Sequence, residues 1–529
     1  MSDQLSAQLL SELGEFVAHR LGLEFPRRRW PDLERSMRSL ARELQFDDVE
    51  SCVHSFVSLP TTQAQIEALA SSLTIGETYF FRERQSFQAL EGEVLPRLIE
   101  NRRGKDQRLR IWSAGCCTGE EPYSLAILLR RLIGELNDWQ ITILATDINP
   151  RFLKKAEEGV YGEWSFRGVA AALRERYFVR KAGGRFEVLP DIKRMVTFSY
   201  LNLAEDNYPS LLNGTNAMDI ILCRNVLMYF TPKRAIQVVR EFHNALLEGG
   251  WLIVSPSESS NALYSQFVAV NFPDAIFYKK DGHKPVARAP VGLPEQNEAD
   301  QSAVAFSRMP PPEPQVSLAN VNDDFVAHDA AERKTSESRQ PLYTKSWDFY
   351  RQGLYDDAAH TLATLLAKDA DNCKAMALLA RVHANQGKLA EATQWCEKAI
   401  AADKLDPACY ILHAMILQEQ NAIANAMLAL QRALYLDQSL VLAHFALGNL
   451  ARQQGKTRAA SKCFDNARRL LATYSAEQIL PESDGMTAGR LMEIIGSILS
   501  TELIRGNHQR SKATTTATAG KQTLENEPQ

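Results

Sequence analysis

The chain has 529 residues, 45% hydrophobic and 23% charged, with a formal net charge of -4 and a pI near 6.3. That length exceeds what one hydrophobic core holds, so two or three domains are expected, and the ordinary composition excludes a wholly disordered chain. The slight acidity excludes a global basic field for nucleic acid, leaving only local patches for electrostatic docking.

The eight cysteines (Cys52, Cys116, Cys117, Cys223, Cys373, Cys396, Cys409 and Cys463) form no CxxC and no His/Cys cluster at zinc spacing. No metal is therefore expected, and scattered thiols suit a reducing cytosol. Met1 to Leu21 has no uninterrupted apolar core, and no stretch approaches the roughly 18 apolar residues of a membrane helix. It reads as neither signal peptide nor anchor, which predicts a cytoplasmic protein without membrane insertion.

Residues 1–75 read as helices. Leu9, Leu10, Leu13, Phe16 and Val17 fall at helical spacing, as do Leu33, Met37, Leu40 and Leu44 after Pro31. Arg27, Arg28 and Arg29 precede the second of these helices, and Arg35, Arg38 and Arg42 share one side of it. That side is either a solvated face or a docking strip for an acidic helical partner.

From about residue 105, strands alternate with helices. Strands are predicted at Leu109–Trp112, Ile141–Ala145, Asp219–Cys223 and Trp251–Val254, and helices at Pro122–Leu132, from Pro150, and at Pro232–Leu247. Such alternation implies a parallel sheet covered on both faces. Residues 177–189 read as an inserted hairpin turning at Gly183-Gly184, after which Val196–Tyr200 returns as a strand.

Residues 283–338, with Pro310 to Pro312, bury too little apolar surface to order themselves and read as a linker, as does the tail over 505–529. Between them Ala358, Ala392, Ala426 and Ala460 recur every 34 residues, with small residues Ser346, Ala380, Ala414 and Gly448 twelve before each. Gly353, Gly387, Asn421 and Gly455 mark a turn inside each unit. This pattern describes about four stacked helix-turn-helix units of the tetratricopeptide kind over 339–475, followed by a C-terminal helix over 476–504.

The turn Trp112-Ser113-Ala114-Gly115-Cys116-Cys117-Thr118-Gly119-Glu120-Glu121-Pro122 joins a strand to a helix, where nucleoside cofactors sit in doubly wound folds. A tight loop packed by Cys116 and Cys117 would read the same way. The turn lacks GxGxxG, and Glu120-Glu121 at the helix start would repel phosphates but welcome a cationic sulfonium. Asp147 ends the next strand, where an acid grips ribose hydroxyls. Together these features favour S-adenosylmethionine over a dinucleotide.

Four segments resemble the CheR chemoreceptor methyltransferases: Thr74-Ile-Gly-Glu-Thr-Tyr-Phe-Phe-Arg-Glu83, Trp112-Ser-Ala through Thr118-Gly-Glu-Glu-Pro-Tyr-Ser124, Ala145-Thr-Asp-Ile-Asn149 and Cys223-Arg-Asn-Val-Leu-Met-Tyr-Phe230. The similarity spans residues 5 to about 280 and extends to the subgroup with an appended tetratricopeptide domain. It implies an α/β, Rossmann-like S-adenosylmethionine-dependent methyltransferase over 76–282. A helical domain would precede it over 1–75, an antiparallel β-subdomain would be inserted near 165–200, and an all-α repeat domain would follow. The implied activity is transfer of methyl to glutamate carboxylates on the cytoplasmic part of chemoreceptors, giving methyl esters for sensory adaptation and S-adenosylhomocysteine as product.

By matching motif, the resemblance implies that Gly76, Thr78 and Arg82 approach the methionine end of the cofactor. Glu120 would lie near its positive end, Asp147 at the ribose, Asn202 and Leu203 at the adenine, and Arg224 and Asn225 below the methyl group. Gly76 replaces an asparagine of some members, so no side-chain contact comes from that position. Tyr229, with Arg224, is the candidate for positioning the substrate carboxylate; a purely structural tyrosine is the alternative. A carboxylate is already ionised at neutral pH, so no general base is needed. Arg35, Arg38 and Arg42 would dock the receptor, and the repeat groove would take a protein. A methyltransferase with a different substrate and a cofactor-sensing scaffold are the competing readings.

Overall fold

In the computed structural model, which describes residues 5–281 and 342–499 apart from isolated positions, the N-terminal apolar spacing produces four helices around one core. Helix α1 (Ala7–Leu21) is capped by the Ser6 hydroxyl and ends at Gly22, whose φ of 74° suits a residue without Cβ. Helix α2 (Trp30–Glu43) carries Pro31 in its first turn and buries Leu33, Met37, Leu40 and Ala41. Helices α3 (Val49–Val57) and α4 (Gln63–Leu73) complete the cluster, α4 starting in a Thr62/Gln65 capping box. Extended residues 74–79 then lead to α5 (Arg84–Ala89) and α6 (Leu95–Arg102), joined by a π-helical stretch at Leu90–Val94.

The central sheet contains β1 (Arg108–Ala114), β2 (Gln140–Asp147), β6 (Val196–Tyr200), β7 (Met218–Leu222), β8 (Leu246–Ile253), β9 (Val268–Phe272) and β10 (Ala275–Lys279). Their order is β6-β2-β1-β7-β8-β10-β9, parallel from β6 through β8 and closed by the antiparallel β10 and β9. Every residue of β1 and β7 is buried, as expected of strands covered on both faces. The covering helices include α7 (Glu120–Ile133), α8 (Pro150–Glu158) and α11 (Pro232–Ala245). The strands and helices predicted from the alternating pattern all form, with Val196–Tyr200 as the edge strand.

A second, three-stranded antiparallel sheet is inserted between α8 and β6 with the short helices α9 (Ala171–Tyr177) and α10 (Pro190–Lys193), in the order β3 (Val160–Tyr161), β5 (Arg185–Val188), β4 (Phe178–Lys181). Its β4–β5 hairpin turns at Gly183-Gly184, both at positive φ. Phe80 locks this insertion to the segment before α5: its ring lies about 5 Å from those of Tyr161, Phe166 and Phe178, and its N–H donates to the Ser165 carbonyl at 2.9 Å.

The C-terminal part is a stack of antiparallel helix pairs. A helix α12 over 342–351 pairs with α13 (Tyr355–Lys368), then α14 (Cys373–Asn385) with α15 (Leu389–Ala402), α16 (Pro407–Glu419) with α17 (Ile423–Leu436), and α18 (Val441–Gln453) with α19 (Thr457–Leu471). The alanines at period 34 are fully buried, and the turns Gly353, Gly387, Asn421 and Gly455 have φ between 59° and 73°. Smallness matters at Gly448, where a Cβ would lie 2.7 Å from the Phe464 ring. The predicted linker over 283–338 and tail over 505–529 lie outside the described residues, and the helix expected over 476–504 lies partly outside them.

The repeats dock on the N-terminal ends of the parallel strands. Arg108 and Arg110, both buried at the start of β1, pair with Glu419 at the end of α16, and Gln140 Nε2 donates to the Glu419 carbonyl at 2.8 Å. Leu211, in the loop before β7, is buried within the repeat core. Asn244 at the end of α11 lies against Gly353, where a Cβ would clash. Among the described residues, no helix is long and apolar enough to cross a membrane.

Candidate active site

A cleft of about 1130 Å³, open mouth included, lies at the opposite, C-terminal ends of β1, β2 and β7. This is where open α/β sheets bind ligands. Gly115 leaves β1 at φ 82°, and a Cβ there would come within 2.5 Å of Val226 Cγ2, so the cofactor turn and the 224–226 segment approach only because that side chain is absent. The Gly115 and Cys116 N–H groups donate to the Thr146 carbonyl at 2.8 and 2.9 Å, tying the turn to β2.

Asp147 ends β2 on the cleft wall, accepting the Cys117 N–H and the Asn149 N–H, each at 2.8 Å. Burial pushes its carboxyl up to about 6, against those two hydrogen bonds. Burial likewise pushes the Cys117 thiol up to about 12, and the Cys116 thiol well above its ordinary value. Neither is a ready thiolate, in keeping with a packing role for both.

The two glutamates at the start of α7 divide their tasks. Glu120, expected beside the cofactor, is buried outside the cleft lining, where its carboxylate accepts the Thr118 hydroxyl at 2.6 Å and the Ser165 hydroxyl at 2.9 Å. Glu121 lines the cleft instead, accepting Ser113 Oγ at 2.7 Å and pairing with Arg224 at 2.9 Å. The reason lies in the tertiary packing: the inserted subdomain brings Ser165 over the first turn of α7 and captures the first of the two acids.

Arg224 is buried between Glu121 and Glu83, each at 2.9 Å, and its Nη2 donates to the Arg82 carbonyl at 2.5 Å. Its guanidinium is thus spent on holding the 82–83 turn against the sheet. Asn225 sits at φ 57°, a conformation held by Glu258, whose carboxylate accepts the N–H groups of Asn225, Val226 and Met228 at 2.6, 2.8 and 3.1 Å. Asn225 Nδ2 also donates to Ser255 Oγ at 2.9 Å.

Thr78, Arg82, Asn202, Leu203, Arg224, Asn225 and Tyr229 all line the cleft. Asn202 spends its own amide on the fold, donating to the Arg20 carbonyl at 2.9 Å and accepting the Ala204 N–H at 3.0 Å. Gly76 stands behind the wall: a Cβ there would lie 2.7 Å from Phe152 Cζ, and Phe152 is the residue that lines the cleft. Arg35, Arg38 and Arg42 stand outside it on the outer side of α2. Arg35 is 79% exposed beside Asp32, while Arg38 is paired with Glu34 at 2.7 Å and only 27% exposed.

Sequence reasoning missed the part of the cleft supplied by the helical domain. Leu21, Leu23, Phe25 and Arg29 line it, because the segment after α1 pairs with the loop after β7: Glu24 N–H donates to the Tyr229 carbonyl at 2.8 Å and Thr231 N–H to the Gly22 carbonyl at 2.9 Å. Arg29 then lies 4.7 Å from the Phe25 ring centre and 5.8 Å from that of Tyr229. Glu258 was also missed, although the Ser255-x-x-Glu258 capping box was a local signal for it.

The residues present suit S-adenosylmethionine. Asp147 supplies an anionic wall at the end of β2, where it suits ribose hydroxyls, while the carboxylate of Glu121 is matched by Arg224. A Rossmann-like sheet carrying that wall defines an S-adenosylmethionine-dependent methyltransferase. Residues 76–276 match the S-adenosylmethionine-binding domain of CheR methyltransferases, and residues 343–407 match a tetratricopeptide repeat family. Chemotaxis protein methyltransferase 2 of Vibrio cholerae is 33% identical over 226 residues, 43% of this chain and 77% of that protein. The chemotaxis protein methyltransferase of Borreliella burgdorferi is 31% identical over 252 residues, 47% of this chain and 87% of its own. The probable biofilm formation methyltransferase WspC of Pseudomonas aeruginosa is 28% identical over 401 residues, covering 66% of this chain and 92% of WspC. The chain belongs to the CheR family of chemotaxis methyltransferases.

Proposed function

We propose that this enzyme esterifies glutamate side chains on the cytoplasmic helices of chemoreceptors. The observation that carries this reading is Arg29, a guanidinium at the cleft wall stacked on Phe25 and near Tyr229, with Arg82 lining the same cleft. With Arg82 assigned to the cofactor, Arg29 is the cation left to favour an anionic acceptor, and a carboxylate is ionised without a base. S-adenosylmethionine, when bound, supplies a methyl group activated by its sulfonium.

The chain's own part is to place and desolvate the acceptor oxygen. Arg29 and the Tyr229 hydroxyl are the groups proposed to hold the acceptor carboxylate. Arg224, being paired on both sides, acts by fixing the Arg82–Glu83 turn. Thr78 and Arg82 are proposed for the methionine end of the cofactor, Asp147 for the ribose, Asn202 and Leu203 for the adenine edge, and Asn225 for the floor. Gly76 contributes through Phe152, and Glu121 takes the place expected of Glu120. Arg35 and Arg42 on α2, with Arg38 less exposed beside Glu34, are proposed to meet the acidic receptor surface.

The division into a helical domain (1–75), a methyltransferase domain (76–282), a repeat domain (339–475) and flanking segments is part of the same proposal, as is work in a reducing cytoplasm. The repeats are proposed to bind or regulate through protein contacts. The extended similarity to WspC supports a receptor-controlled output of the kind that protein's name describes.

The test uses labelled S-adenosylmethionine, the full chain and cytoplasmic fragments of the host's chemoreceptors. Base-labile label released as methanol, confined to receptors and lost in Asp147→Ala, is expected. Cofactor binding without transfer to any receptor would sink the substrate assignment.

A further inference from the structure

Two cysteines and an aspartate from neighbouring repeats converge in a part of the chain remote from the cleft. Cys373 opens α14, Cys409 lies in the first turn of α16, and Asp406 is the residue that caps α16. The two Sγ atoms are 3.5 Å apart, and Asp406 Oδ2 lies 3.4 Å from Cys409 Sγ and 3.9 Å from Cys373 Sγ. The other carboxylate oxygen, Oδ1, accepts the Ala408 N–H at 2.9 Å, which fixes the carboxylate with Oδ2 turned to the sulfurs.

These dimensions are those of one face of a tetrahedral zinc site. Bond lengths of about 2.3 Å to sulfur and about 2.0–2.2 Å to oxygen give edges of about 3.8 Å between sulfurs and about 3.5 Å between sulfur and oxygen. A disulfide requires about 2.05 Å, so the sulfurs stand at ligand spacing rather than bond spacing. Cys409 is buried, whereas Cys373 and Asp406 are half-buried, which leaves an approach from solvent and a fourth position for water. No CxxC marks the three donors, because two lie in one repeat and one in the repeat before.

We propose that Cys373, Asp406 and Cys409 bind a thiophilic divalent cation, zinc as the natural candidate, with water as the fourth ligand, so that the metal ties the second repeat to the third. On binding, both thiols release their protons to solvent and coordinate as thiolates, so two thiolates and a carboxylate face a charge of +2. Nothing is oxidised or reduced.

The test uses the reduced, chelator-stripped full chain, titrated with zinc against a chromophoric chelator and, separately, with cobalt. One zinc per chain is expected, with cobalt giving thiolate charge-transfer absorption and the visible bands of a tetrahedral ion. Cys373→Ser, at a half-exposed position, should abolish both signals. Asp406→Asn should weaken binding by at least about tenfold. It keeps the helix cap, since Asn149 caps α8 in the same manner, its Oδ1 accepting the Arg151 N–H at 2.9 Å. Zinc should also raise the melting temperature of the wild type and leave that of Cys373→Ser unmoved. Substoichiometric zinc in the wild type, equal retention in Cys373→Ser, or a Cys373–Cys409 disulfide in protein taken fresh from cells would each overturn the proposal.

Discussion

Glu258 accepts the backbone N–H of Asn225 at 2.6 Å, and so holds a residue of the cleft floor at φ 57°. Its carboxylate also serves Val226 and Met228, which makes one side chain the acceptor for a whole turn. An amide has one acceptor oxygen where the carboxylate has two, and its NH2 would face N–H donors. Glu258→Gln should therefore keep the fold but lower S-adenosylmethionine affinity by roughly ten- to a hundredfold, the equivalent of about one charge-assisted hydrogen bond. Calorimetric titration of the purified variant measures it; unchanged affinity would show that the turn holds itself.

Asp147 gives a pH dependence whose sign is fixed by its burial. Its carboxyl is pushed up to about 6 in the folded protein, against about 3.9 in an unfolded chain. The folded state thus binds the proton more tightly, so stability of the cofactor-free protein falls as pH rises from about 4 to about 6 and stays lower above that. The cost at neutral pH is at most roughly 3 kcal/mol. Asp147→Asn removes it but accepts only one of the two N–H groups, for a net gain of about 1–2 kcal/mol at pH 7.5 that turns into a net loss of about 1 kcal/mol near pH 4. Urea melts at the two pH values check this. In the wild type, cofactor affinity should decline as pH drops below 6, since the protonated acid is a poorer acceptor for ribose hydroxyls.

Removing Glu419 leaves Arg108 and Arg110 buried without their carboxylate partner. Glu419→Ala should cost about 3–5 kcal/mol, the penalty typical of breaking one side of a buried ion pair. The loss should be felt where the repeats meet the sheet, splitting thermal unfolding into two transitions. Cofactor affinity, set at the other ends of the strands, should change less than about twofold. A single unshifted transition in calorimetry would contradict the docking.

Arg29 lines the cleft without a role in holding the sheet together. Arg29→Ala should lower kcat/KM on a receptor fragment by roughly ten- to a hundredfold and leave the S-adenosylmethionine Kd within about threefold. Tyr229→Phe separates the hydroxyl from the ring: a fall in kcat with unchanged cofactor binding assigns the hydroxyl to the acceptor. Equal loss in both constants would return Tyr229 to a packing role.

Local chemistry explains what was legible in the sequence. The strand ends were readable because Gly115 and Asp147 sit at turns whose residue types are dictated on the spot. The repeat turns were equally readable, since Gly353, Gly387 and Gly455 occupy positive φ and Asn421 is the non-glycine residue that tolerates it best. The exchange between Glu120 and Glu121 was not, because Ser165 arrives from 45 residues away and decides which acid turns inward. In the sequence Arg29 is one member of a basic run, for its place in the cleft depends on the pairing of Leu23 with Phe230. The seating of Leu211 and Glu419 had no local signature, since neither residue looks unusual among its neighbours.

Strand β1 carries a further implication. It begins at the arginines gripped by the repeats and ends at the cofactor turn, seven residues later. At about 3.3 Å per residue the two ends stand roughly 20 Å apart on a fully buried strand. The enzyme therefore resembles a caliper with one fixed jaw. Whatever the repeats hold would stand at a set span from the cleft, without the slack of a tether.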